Sequence, residues 1–122
     1  MAAPNIVNVT SIYGKTIGEG LGTNVATSIL TCPTDKVLKI NSIIVANVDG
    51  STAADVTVSY YDSSANNHTT MAHTITVPAD ATLVVISKDT SIYLNEGDMI
   101  RAGASAAGDL HILISYEELD DA

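Results

Sequence analysis

Apolar and polar residues alternate along most of this chain, and turn-forming residues interrupt the alternation at short intervals. Between residues 36 and 48, Leu38, Ile40, Ile44, Ala46 and Val48 share one alternating face on which only Ser42 intrudes. Val37, Ile43 and Val45 occupy the other. Apolar residues on both faces predict a central strand. After the turn signal Asp49-Gly50-Ser51-Thr52, Val56, Val58 and Tyr60 alternate with Thr57, Ser59 and Tyr61, the pattern of a half-buried strand. The polar run 62–67 predicts an exposed loop. His73, Ile75 and Val77, then Leu83 and Val85, then residues 91–94 and 99–104 continue the rhythm, which ends in the strong alternation of Leu110, Ile112, Ile114 and Tyr116. Period two throughout, with about eight or nine short strands and no internal repeat, predicts an all-β, single-domain antiparallel β-sandwich, jelly-roll or immunoglobulin-like. The best helical candidate, residues 116–121, is too short to stand alone.

The N-terminal part departs from this pattern. Residues 5–13 alternate loosely, with Val7, Val9 and Tyr13 on one face, and Gly14, Gly18, Gly20 and Gly22 predict a flexible connection. The expected organisation is one domain, with an N-terminal strand and glycine-rich arm over 1–22 and the sandwich over 23–122. The run Gly18-Glu19-Gly20-Leu21-Gly22 superficially resembles a phosphate cradle. A cradle needs a helix N-terminus behind it, and the β-rich Val25, Thr27 and Ile29 follow instead.

Charge and composition narrow the function classes. The chain of 122 residues is 46% hydrophobic and carries 14 Asp and Glu against 5 Lys and Arg, a net charge of −9. Such a surface repels nucleic-acid phosphates, and Lys15, Lys36, Lys39, Lys88 and Arg101 are scattered, so no nucleic-acid partner is expected. Apolar runs of three or four residues fall far short of the roughly 20 that a membrane-spanning helix needs. No secretory signal is visible at the N-terminus, and the single Cys32 forms no internal disulfide; synthesis and assembly in a cytoplasm are the expectation. The acids Glu117, Glu118, Asp120 and Asp121 suggest a solvated, fraying tail.

Candidate chemistry is sparse. Ser, His and Asp are plentiful, but no nucleophile elbow or other spaced signature joins them, and no cofactor motif occurs. The chain is therefore expected not to be an enzyme. His68 and His73 are five positions apart, which places them on opposite faces of an extended strand, and His111 lies far along the chain; a three-histidine metal site is disfavoured. Asp49, Asp55, Asp62 and Asp98 offer hard oxygen donors for calcium without the dense spacing of a calcium loop. Sugar-binding sandwiches present aromatic platforms, and this chain has no Trp or Phe. Its tyrosines 13, 60, 61, 93 and 116 include the neighbours Tyr60 and Tyr61, which must face opposite ways. A core built from Val, Ile, Leu, Ala and Thr without large anchors suits a subunit completed by contacts with other subunits.

Four segments carry a family resemblance. They are 36–47 with Leu38-Lys39-Ile40-Asn41-Ser42-Ile43-Ile44, 80–89 with Thr82-Leu83-Val84-Val85-Ile86, 92–101 with Glu96-Gly97-Asp98, and 109–118 with Leu110-His111-Ile112-Leu113-Ile114. Together they resemble small all-β virion proteins of tailed bacteriophages, particularly those of marine and cyanobacterial hosts. The resemblance implies a non-enzymatic capsid decoration (cement) protein that binds and stabilises the outer shell. A neck, tail or fibre-base component, or a carbohydrate-binding sandwich module, is the alternative. It implies the major capsid protein or other virion proteins as partners, and a homo-oligomer, with a trimer favoured at three-fold points of a shell. An acidic protein belongs on the outer surface of the virion, away from packaged DNA. Residues 5–22 are expected to form an arm that orders on the capsid, with Ile6, Val7, Tyr13, Lys15, Ile17 and Leu21 as partner-binding residues.

Overall fold

The computed structural model describes residues 11–120, and in it the alternating segments become nine strands. They are β1 (Ser11–Gly20), β2 (Ser28–Thr31), β3 (Val37–Asn47), β4 (Ala54–Asp62), β5 (Asn67–Val77), β6 (Thr82–Ile86), β7 (Ile92–Leu94), β8 (Met99–Ala104) and β9 (Leu110–Asp120). One 3₁₀ turn, Lys88–Thr90, separates β6 from β7. Every pairing is antiparallel, and the strands form two sheets, β1-β9-β3-β6 with β7 also on β3, and β2-β8-β4-β5. The pairs nest: β4 with β5, β3 with β6 and β7, β2 with β8, β1 with β9. Successive pairs fall alternately into the two sheets, so the chain is one long hairpin rolled up on itself, the wiring of a jelly roll. The all-β antiparallel sandwich expected from the alternation is therefore present.

The inner faces of the two sheets meet in a core of aliphatic side chains, among them Leu38, Ile40, Ile43, Val45, Val56, Val58, Leu94, Ile100, Leu110, Ile112 and Ile114. Burying each Leu or Ile removes its apolar surface from water, a gain of about 1.5–3 kcal/mol. Positive φ at Asp35, Asn66, Asp80 and Gly97 marks the tight turns between strands, where short polar residues or glycine tolerate the left-handed conformation. Asn47 closes the inner end of β3: it is 4% exposed, and its Nδ2 donates to Thr52 O at 3.0 Å and to Val77 O at 2.9 Å.

Three expectations are corrected. First, β3 is central, with β9 on one side and β6 and β7 end to end on the other, but its inward face changes part-way. Ile40 pairs with Tyr116 and Ser42 with Ser115, so Asn41 is an extra residue, a bulge that reverses the alternation beyond it. Leu38 and Ile40 point inward before the bulge, Ile43 and Val45 after it. Ile44, Ala46 and Val48, expected on the same face as Leu38 and Ile40, do not lie in the core with them, and Val48 is 52% exposed.

Second, the glycine-rich stretch is neither a flexible connection nor a separate arm over its described part. Ser11–Gly20 is a strand that pairs with Asp120–His111 over ten residues without a register shift. The chain then enters the core at Leu21, whose N–H donates to Leu110 O at 2.8 Å. The boundary at residue 22 thus divides nothing in the described chain.

Third, the acidic C-terminal residues do not fray or form a helix as far as Asp120. Glu117, Glu118 and Asp120 belong to β9, which lies between β1 and β3, while Asp121 is outside the described residues. Lys15 pairs with Glu118 at 3.2 Å, and Lys36 pairs with Asp120.

Candidate functional site: the outer face of the five-stranded sheet

Alternation along β9 sends Leu110, Ile112 and Ile114 into the core and turns His111, Leu113 and Ser115 outward. The bulge in β3 turns Ile44 and Ala46 to the same outer face. Register then lines up a row of cross-strand neighbours: Gly18 opposite Leu113, Leu113 opposite Ile44, Ile44 opposite Val84. Leu113 is 44% and Val84 57% exposed, so an apolar ridge of Leu113, Ile44 and Val84 crosses three strands in contact with solvent. A second row, Gly20, His111, Ala46 and Thr82, runs beside it.

The glycines of β1 shape the rest of this face. Gly14, Gly18 and Gly20 fall on even positions of an unshifted strand, and Ile17, on an odd position, packs against the core. All three glycines therefore face outward, with Thr16 between Gly14 and Gly18, leaving bare backbone at Gly18 and Gly20 beside the taller Leu113 and His111. A Cβ at Gly18 would lie 3.2 Å from Leu113 Cδ1, and one at Gly14 would meet nothing within 4 Å. The step between the glycine shelf and its neighbours is a shallow groove of about 420 Å³, bordered by Glu19, Ile44, His111 and Leu113. Glycine inside a strand weakens it and commonly marks a place where another backbone approaches closely. Among the described strands, nothing pairs with the outer edge of β1.

The residues expected to bind a partner are dispersed. Ile6 and Val7 lie outside the described residues. Tyr13 is 50% exposed on β1, and Lys15 is held by Glu118. Ile17 packs against the core, and Leu21, only 2% exposed, belongs to it; a partner reaches Leu21 only if the sandwich opens. The features that sequence reasoning missed are Leu113, Ile44, Val84 and the outward glycines. Their signal was the even spacing of Gly14, Gly18 and Gly20, which puts all three on a single face of a strand that also carries Thr16.

The other candidate groups do not converge either. Asp98 is 2% exposed and accepts from Tyr60 Oη, Ser63 N, Ser63 Oγ and Asn95 N, which uses its oxygens structurally. Asp49 and Asp62 cap their own turns through Ser51 and Ser64, which holds both carboxyls below the usual range, and Asp55 accepts from Thr76 Oγ1. Among the described residues, no group of three His, Cys, Asp or Glu side chains is placed to hold a metal ion. Cys32 is buried; desolvation pushes its thiol up to about 11, and its Sγ donates to Lys36 O at 3.2 Å. The five tyrosines do not line one common groove: Tyr60 and Tyr93 border a shallow pocket of about 290 Å³ with Thr69 and Ile92, whereas Tyr61 lies beneath Arg101 and Tyr116 packs on the core. No protein-family model and no curated protein matches the chain.

Proposed function

We propose that this chain is a non-enzymatic structural subunit of a tailed-phage particle, a decoration protein that docks on the outer shell through the outer face of its five-stranded sheet. The observation that carries the reading is the glycine shelf of β1 beside the exposed ridge of Leu113, Ile44 and Val84. The bare positions Gly18 and Gly20 admit a partner's backbone, and the ridge supplies apolar area to bury. The partner is the major capsid protein, as the sequence resemblance implies, and a trimer at three-fold points of the shell is the favoured assembly. The net charge of −9 favours the exterior of the particle over a surface facing packaged DNA.

Copy number in purified particles, measured by quantitative mass spectrometry against the major capsid protein, tests this role. Hundreds of copies per particle are expected. A single ring's worth of copies would transfer the protein to the neck, tail or fibre base, and absence from particles would overturn the virion reading and reopen the sugar-binding one.

A further inference from the structure

The outer face of the opposite sheet holds a second, chemically different site. Strand β4 turns Thr57, Ser59 and Tyr61 outward; Thr57 lies opposite Gly103 and Ser59 opposite Arg101 of β8. Despite facing out, Thr57 and Ser59 are only 9% and 5% exposed. The segment 22–27 explains part of this cover. Its Thr27 O and Gly22 O accept from Ala102 N and Ala104 N, and it crosses so close to Gly103 that a Cβ there would stand 2.7 Å from Val25 Cα.

On the far side, β5 departs from regular pairing twice. Ser59 pairs with Thr70, Val58 with Ala72 and Val56 with Ile75, so β5 holds one extra residue at Met71 and another at the step 73–74. The second takes Thr74 through a positive φ, a costly conformation for a β-branched residue, and is held by Thr74 N donating to Thr57 Oγ1 at 3.1 Å. The shift at Met71 reverses the alternation, which brings His68 and His73 onto one face. This corrects the expectation that they lie on opposite faces. The two imidazoles, Thr70, Ser59 and Arg101 line a pocket of about 190 Å³ walled by the 22–27 segment.

Arg101 gives the pocket its character. Its guanidinium lies 3.8 Å over the ring of Tyr61, a stacking that fixes the plane while leaving the edge donors of the fork to another group. Neither ion pair among the described residues uses Arg101, in a chain with 14 acids. Its Nε is enclosed without an acceptor. No Asp or Glu lines the pocket. An arginine with unused donors, two imidazoles and the hydroxyls of Ser59 and Thr70 form a donor set, and what matches it is an acceptor carrying negative charge.

We propose that this pocket binds an oxyanion group, the carboxylate or phosphate of a small ligand, with Arg101 as its principal donor and His68 and His73 closing over it. The site is separate from the glycine shelf, and its occupancy does not depend on the virion role.

The test is a titration of the ¹⁵N-labelled full chain with inorganic phosphate and, separately, with glucuronate, followed by amide shifts; glucose serves as the uncharged control. The expected result is saturable shifts at Thr57, Ser59, Thr70 and Arg101 with a Kd on the order of 1 mM, and none with glucose. Saturation by phosphate alone, by glucuronate alone or by both assigns the anion class. Arg101→Gln should weaken binding by about tenfold or more, as loss of a charge-assisted fork does. His73→Gln, at an exposed position, should weaken it by a smaller factor and keeps the test open if Arg101→Gln does not fold. Shifts that fail to saturate with both anions, or that persist unchanged in a folded Arg101→Gln or His73→Gln protein, would overturn the proposal.

Discussion

Tyr60 on β4 donates its phenolic hydrogen to Asp98 Oδ2 at 2.9 Å, in the turn that leads into the neighbouring strand β8. The same carboxylate accepts from Asn95 N at 3.0 Å and Ser63 N at 3.0 Å, so one buried side chain ties the β4–β5 loop to the β7–β8 turn. Burial and the Asp98 bond push the Tyr60 phenol from an ordinary 10 up to about 12. The folded state thus holds this proton more tightly than the unfolded chain does. The resulting stability is present in full below pH 10 and is lost as pH rises through about 12. Urea unfolding across this window should show a decline that Tyr60→Phe largely removes. At neutral pH that variant should cost about 1.5–3 kcal/mol, and Asp98→Ala, which orphans several donors, more than about 3 kcal/mol.

Gly103 should not tolerate a side chain. A Cβ there would meet Val25 Cα at 2.7 Å and Val25 N at 2.8 Å, backbone atoms that yield only if the 22–27 segment moves. Gly103→Ala should destabilise by about 1–3 kcal/mol, as overpacking does, and speed hydrogen exchange at Ala102 and Ala104, whose amides bond to that segment. Unchanged exchange at both amides would contradict the packing described.

Much of this architecture is legible in the alternation, and the misses share one physical origin. A bulge adds a residue to one strand, and whether it forms depends on the partner strand, which lies far away in sequence. Asn41 in β3 and Met71 in β5 are such residues. Neither carries a local mark, yet they decide that Ile44 leaves the core face and that His68 shares a face with His73. Gly14, Gly18 and Gly20 misled for a different reason: glycine lowers strand propensity, and the long unshifted ladder with β9 outweighs that preference. The evenness of their spacing was the better guide.

Cys32 should be inert in the folded protein. With its thiol pushed up to about 11 and its side chain buried, the thiolate fraction at pH 8 is small and inaccessible. Alkylation by iodoacetamide should be slow in the native state and rapid in urea. Fast native alkylation would mean that the end of β2 opens readily.

Gly14 and Gly18 should respond differently from Gly103. Space around Gly14 is open, so Gly14→Thr should stabilise β1 by about 0.5–1 kcal/mol through strand preference. Gly18→Val places its branches against the mobile tip of Leu113 and should leave the melting temperature within a few degrees of wild type while roughening the shelf.

That difference between stability and docking gives the most direct test of the central claim. Purified wild-type protein, Gly18→Val and Leu113→Glu would each be mixed with phage particles depleted of this protein and sedimented. Wild type should pellet with the particles, and both variants, folded by circular dichroism, should stay in the supernatant. If both variants pellet as wild type does, or if wild type does not bind the particles, the outer face of the five-stranded sheet is not the docking surface.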